Sequence, residues 1–233
     1  MAITTAPGRS GHAAQHGRPI MIAILIAVLA VVTIAIALLV YGSSGTAVTQ
    51  TRTVAGFTSL DLAGSNNVTI IVGRPQSVVV HADSSLINHV TTQVVAGTLI
   101  IGDTGNFTAR GPMSVDVSVP SLTALSLSGS GQISATAIST PQLTVAISGS
   151  GLVSAAGTAT RLDVAINGDG TAQLSQLTAR DVQAVVSGSG LIQVTATTSL
   201  DAAVPGSGTI IYSGNPPQVT TSVTGSGIVT RAD

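Results

Sequence analysis

The 233-residue chain has a net charge of -1 and only 7% charged side chains, eight Arg and nine Asp with neither Lys nor Glu. It therefore presents no basic field to nucleic acid and few groups for acid–base chemistry. Hydrophobic residues reach 44% and Cys is absent, which excludes a disordered chain, disulfides, thiolate metal sites and a lipidated Cys anchor, and leaves a packed β domain.

Residues 1–19 read as a short cytoplasmic tail, too small for an enzymatic or DNA-binding module. His12 and His16 lie four apart there, but Gly8, Gly11, Gly17 and Pro19 oppose the helix that would pair them, so no metal is assigned. Ile20 to Val40 is apolar except for Thr33, and as a helix it would cover roughly 30 Å, enough to span a bilayer. The rival is a cleaved signal peptide, because small residues follow from Gly42 to Ala47. The run exceeds the roughly 7 to 15 residues of such a core, which favours a retained signal anchor through the membrane. Arg9 and Arg18 precede the span and Arg52 is the first charge after it, so the N-terminus is expected to stay cytoplasmic and the rest to lie outside.

After a linker over 41–53, residues 54–120 read as an N-terminal β part. Strands are expected around Phe57/Leu60/Leu62, Val68 to Val72, Val78 to His81 and Thr98 to Ile101, with turns at Gly64, Gly73-Arg74-Pro75 and Gly102-Asp103-Thr104-Gly105. Leu86, Ile87 and Val90 fall at helical spacing, predicting a short helical turn within Ser84 to Val95 that caps a stack. His81 and His89 flank that turn as a candidate pair, with no Ser or Cys nucleophile pattern beside them.

Residues 121–233 carry an internal period in six units. The glycine pairs Gly129 and Gly131, Gly149 and Gly151, Gly168 and Gly170, Gly188 and Gly190, Gly206 and Gly208, and Gly225 and Gly227 recur about every 19 residues as structural bends. Before each pair runs an alternating strand, such as Leu143/Val145/Ile147 or Leu162/Val164/Ile166; after it comes one apolar position, Ile133, Val153, Ala172, Ile192, Ile210 or Val229. Glycine suits such a bend because it tolerates positive φ and lets neighbouring backbones approach. A coil this short buries its apolar face only by stacking on the next, which predicts an all-β right-handed parallel β-helix, with a β-sandwich of hairpins as the alternative.

The Phe57-Thr58-Ser59-Leu60 opening, Gly97-Thr98-Leu99-Ile100-Ile101, Val117 to Leu122, the serial Ser-Gly-Ser-Gly units and the ending Gly208 to Pro216 together resemble the bacterial putative auto-transporter adhesin, head GIN domain family. The resemblance covers roughly Val54 to Asp233 and implies a β-helical fold in the cell envelope. It implies adhesion only by name, since fold does not confer function. Asn167-Gly168-Asp169-Gly170 and Pro205 depart from the Ser-Gly form of the repeat.

Alignment on the first glycines puts Asp163 and Asp201 in one outward column, with Gln183 between them and Thr144 and Thr220 flanking. Two coil spacings separate the carboxylates by roughly 10 Å, beyond the usual glycosidase pair, and no Arg–Asp cluster stands out along the chain. Asp103 to Asn106 and Asn167 to Gly170 are oxygen-rich turns, but neither has a calcium-loop spacing. Asn67-Val68-Thr69 and Asn106-Phe107-Thr108 match the N-glycosylation pattern, which in a bacterial chain is fortuitous. The expected function is an extracytoplasmic binding or structural module for envelope polysaccharide or protein, without cofactor or catalysis; the alternative is a carbohydrate-active enzyme. The last coil is expected to need a cover: a second chain, the envelope ligand or the Asn215-Pro216-Pro217 segment.

Overall fold

The computed structural model describes residues 46–105 and 113–232. Ile20 to Val40, the tail before it and Asn106-Phe107-Thr108 lie outside the described residues; among those described, no helix is long and apolar enough to cross a membrane. The described chain is all β. Its strands are β1 (Ala47–Thr51), β2 (Ser59–Leu62), β3 (Asn67–Val72), β4 (Ser77–Asp83), β5 (Val90–Val95), β6 (Thr98–Asp103), β7 (Ser114–Val119) and β8 (Ala124–Leu127). They continue as β9 (Gln132–Ile147), β10 (Leu152–Ile166), β11 (Thr171–Val186), β12 (Leu191–Val204), β13 (Thr209–Ser213), β14 (Gln218–Val223) and β15 (Ile228–Arg231).

The long strands β9 to β12 each run from one glycine pair to the next and bend midway, so each contributes to two hydrogen-bonded ladders. In the first, β3 pairs the start of β9, and the chain of parallel partners continues through β10, β11, β12 and β13 to β15. In the second, β2 and β8 lead to the end of β9 and on to β14. The mid-coil bend falls where Ala137 has φ 59° and Gly157 has φ 137°. These ladders form a β-solenoid of about five turns, and the parallel pairing from coil to coil replaces the hairpins that a β-sandwich would require.

The period fixes the register. Val153 lies opposite both Ile133 and Ala172, Ala172 opposite Ile192, Ile192 opposite Ile210, and Ile210 opposite Val229. Leu143, Leu162, Val182 and Leu200 stack likewise and are buried. One side chain per coil at each level fills a narrow interior, which explains a core of Val, Ile, Leu and Ala with almost no aromatic residue.

The N-terminal part departs from the expected order. The coil made by β2 and β3 sits between the coil of β6 and β7 and the coil of β8 and β9, although β6 and β7 come later in the chain. Both ladders then end in antiparallel strands: β4 pairs β7 and β1 pairs β4 on one, and β5 pairs β6 on the other. Part of the expected linker is therefore strand β1. The helical turn expected in Ser84 to Val95 is a single turn that does not continue as a helix: Leu86 and Ile87 donate to the Asp83 carbonyl at 2.8 and 2.9 Å, the second bond of the α-helical kind, and Val90 then opens β5. Leu86, Ile87 and Val90 are buried, the first two from this turn and Val90 from the strand that follows it. Gly102 and Asp103 belong to strand β6 and not to a turn.

Candidate functional site

The glycine pairs form a column along one corner of the solenoid. The second glycine of the first five pairs offers its carbonyl to the next coil: Gly131 accepts from Leu152 N–H at 3.1 Å, Gly151 from Thr171 at 3.0 Å, Gly170 from Leu191 at 3.1 Å, Gly190 from Thr209 at 3.0 Å and Gly208 from Ile228 at 3.0 Å. The twelve bend glycines, from Gly129 to Gly227, lie outside the left-handed φ region, which corrects one half of the reason for glycine here. Close approach is the other half. A methyl group placed on Gly149 would overlap the Gly129 carbonyl oxygen, and one on Gly188 would overlap that of Gly168. The Asn167-Gly168-Asp169-Gly170 bend keeps the same stacking, since a Cβ on Gly168 would meet the Gly149 carbonyl.

Gly227 belongs to the last of the six units, the one expected to need a cover. A Cβ on it would still meet Val204 and the Gly208 carbonyl of the preceding coil. Among the described residues no coil follows, however, so the Gly227 carbonyl receives no N–H from a next coil. Gly227 is consequently half-buried, whereas Gly131, Gly151, Gly170, Gly190 and Gly208 are buried, and its partner Gly225 is exposed. The last pair is packed from one side only.

On the outer face of the second ladder, Asp163 lies opposite Thr144 and Gln183, Gln183 opposite Asp201, and Asp201 opposite Thr220. The adjoining column, Gln142, Arg161, Asp181, Ser199 and Gln218, completes a polar network that the chain order hid. Arg161 Nε donates to both Asp163 oxygens at 2.9 and 3.1 Å, and its Nη2 donates to Gln183 Oε1 at 3.0 Å. Gln142 donates to Asp163 at 3.0 Å, and Ser199 Oγ to Asp181 at 2.7 Å. The hydrogen bond and charge of Asp163 raise the Arg161 pKa above the ordinary arginine value. An Arg–Asp cluster thus exists, contrary to the sequence expectation. The same 19–20 residue offset, applied one column over, would have found it.

A groove of about 460 Å³ runs along the solenoid beside the mid-coil bend, crossing β9, β10, β11 and β12. Between the buried Ala159 and Ala179, whose side chains turn into the core, its lining carries Ser139, Thr158 and Thr178 on one side and Pro141, Thr160, Arg180 and Thr197 on the other. Thr140 donates to the Gln142 carbonyl at 3.0 Å and Thr197 to that of Ala179 at 3.2 Å. The hydroxyls of Ser139, Thr158, Thr160 and Thr178 and the Arg180 guanidinium have no hydrogen-bond or ion-pair partner among the described residues.

The two histidines do not meet. His81 Nε2 lies 3.1 Å from Asp116 and its Nδ1 lies 3.0 Å from Thr49 Oγ1, whereas His89 Nδ1 donates to the Thr104 carbonyl at 2.7 Å. Among the described residues, no three His or Asp side chains gather as a metal site would require. At the C-terminal end, Asn215 to Pro217 joins β13 to β14 without covering the last coil, so Val219, Val223 and Ile228 stand 43%, 44% and 58% exposed.

Comparison with solved structures matches this architecture. A putative adhesin from Bacteroides fragilis superposes with a TM-score of 0.66 at 23% identity, over 81% of this chain and 98% of that one. A putative lipid binding protein from Parabacteroides distasonis gives 0.54 at 19% identity, over 82% and 98%. At these identities the likeness is one of fold. No curated protein matches the chain. The family model described as putative auto-transporter adhesin, head GIN domain, matches residues 56–216, more than half of the chain, and the protein belongs to that family.

Proposed function

We propose that the chain is a membrane-anchored, extracytoplasmic binding or structural module of the bacterial cell envelope, adhesin-like and without catalysis, whose solenoid is right-handed. The observation that carries this reading is the groove across four coils, where hydroxyls with no protein partner repeat from strand to strand on a rigid sheet. Rigid, repeated donors and acceptors suit a long ligand that is bound by many weak hydrogen bonds. The partners in this reading are the membrane, through Ile20 to Val40, and an envelope polysaccharide or protein. A second copy of the chain, meeting the exposed last coil, completes the set.

The Arg161, Asp163, Asp181 and Asp201 cluster favours a second reading, a carbohydrate-active enzyme, because glycoside hydrolysis uses paired carboxylates. Against it, Asp163 is engaged by Arg161 and Gln142 and Asp181 by Ser199, which suits a surface network better than a free acid and base.

A single Cys at the exposed bend residue Ser226 tests the placement. It should react with an impermeant thiol reagent on intact cells, in a protein that sediments with membranes. Reaction only after lysis would reverse the topology. Passing a cell-envelope extract over the immobilised full-length chain tests binding, and an eluate empty of glycan and protein would remove the binding reading. Release of shortened sugars from that extract would instead support the enzyme.

A further inference from the structure

The groove's polar groups are not equivalent. Ser139, Thr158, Thr160 and Thr178 offer neutral hydroxyls, whereas Arg180 is the single charged residue in the lining, stands exposed and has no partner among the described residues. The other arginine of this region, Arg161, is held flat on the second ladder by Asp163 and Gln183. Asp181, next to Arg180 in the chain, is held by Ser199. A guanidinium presents a planar fork of donors matched to a carboxylate or another planar anion, and its strongest hydrogen bonds form with such groups.

The spacing of the hydroxyls adds the shape of the ligand. Ser139 lies opposite Thr158 and Thr158 opposite Thr178, so three hydroxyls follow one another at the distance between strands, about 4.8 Å. An extended pyranose chain advances by about the same distance per sugar.

We propose that this groove binds an extended anionic polysaccharide lying along the solenoid axis, with sugar hydroxyls on the Ser139, Thr158 and Thr178 column and an acidic sugar on Arg180. This rests on the binding-module reading and names its ligand class. The occupied length, from β9 to β12, is three strand spacings, or roughly 14 Å, enough for about three sugars.

The test titrates the full-length chain in detergent with polygalacturonate as the anionic probe and dextran as the neutral one. The wild type should bind polygalacturonate, and affinity should fall as salt rises. Arg180→Gln should weaken binding about tenfold or more, the scale of a lost charged hydrogen bond, and Arg180→Lys should restore part of it. The Thr158→Val, Thr178→Val pair should weaken it as well. Arg161→Gln should leave it unchanged. Arg180 is exposed, so unaltered melting of Arg180→Gln serves as the folding check. If Arg180→Gln binds like the wild type, or dextran binds as tightly as polygalacturonate, the anionic-ligand proposal is overturned while the binding module stands. If neither polymer binds but the envelope extract yields a protein, the polysaccharide proposal falls alone. An empty eluate as well would take both readings down.

Discussion

Asp103 closes the outer end of the bend column by gripping Asn66. Its carboxylate accepts the Asn66 side-chain amide at 2.6 Å and the Ser65 backbone N–H at 2.9 Å. Asn66 is fully buried and occupies the place that a second glycine takes in later coils: a Cβ on Gly131 would overlap its carbonyl. The column of bends therefore begins at Gly64-Ser65-Asn66, and strand β6 supplies the carboxylate that takes its Ser65 N–H and Asn66 amide donors, while Asn66 Oδ1 is buried without a partner among the described residues.

Asp103→Ala should leave the buried Asn66 amide without an acceptor, at a cost of about 1 to 3 kcal/mol. In a solenoid such damage spreads little beyond neighbouring coils. Hydrogen exchange should accelerate at Asn67 and Gln132, whose N–H groups bond next to Asn66, while Leu191, bonded to Gly170, stays slow. Uniform acceleration, or none, would contradict this local role.

Three glycines separate the reasons for glycine. Gly149→Ala should destabilise the fold by about 3 kcal/mol or more, because its Cβ meets backbone that cannot step aside. Gly73 has open space around it but φ +85°, so Gly73→Ala should cost only about 1 to 2 kcal/mol of backbone strain. Gly56 has neither constraint, and Gly56→Ala should be neutral or stabilising by a few tenths of a kcal/mol. Denaturant melts of the three variants check the order. Equal losses would refute the close-approach account of the bends.

The parallel part of the fold was legible because period and side-chain alternation are both written along the chain. Glycine spacing set the coil, and Leu162/Val164/Ile166 set which face turns inward. The same period marked the last coil as the one in need of a cover, and Val219, Val223 and Ile228 are exposed there. At the N-terminal end strands β2, β3, β4 and β6 were legible but their stacking was not, because β2 and β3 join the stack out of chain order and the bend there reads Gly64-Ser65-Asn66, without the second glycine. The outward Asp163–Asp201 column followed from register alone. The Arg161 network and the Arg180 groove did not, because they depend on which neighbours a long side chain reaches once the columns stand side by side.

Arg161 and Asp163 form an ion pair on an exposed face, 52% and 25% accessible, and such pairs contribute little to stability in water. Arg161→Gln and Asp163→Asn should each melt within experimental scatter of the wild type. Asp163→Asn, Asp181→Asn and Asp201→Asn should also leave retention of envelope material unchanged if this network only solvates the sheet. Loss of sugar release on substituting one carboxylate, with melting unaffected, would instead support the enzyme reading.

Val186 and Val223 mark the contrast between the interior and the open end of the same stack. Val186 is fully buried, whereas Val223, two coils on, is 44% exposed beside Val219, with β14 the last described strand of its ladder. Val186→Lys must bury an ammonium among apolar neighbours and should cost about 4 kcal/mol or more, enough to unfold the adjoining coils. Val223→Lys should be nearly neutral for folding, because its charge reaches water. The same change tests what covers the end. An edge of unpaired N–H and C=O groups beside exposed valines favours pairing with another chain. Light scattering of the wild type should therefore rise with concentration, and Val223→Lys should hold it at the monomer value. A wild type that stays monomeric at every concentration, with β14 amides already slow to exchange, would remove self-association through this coil.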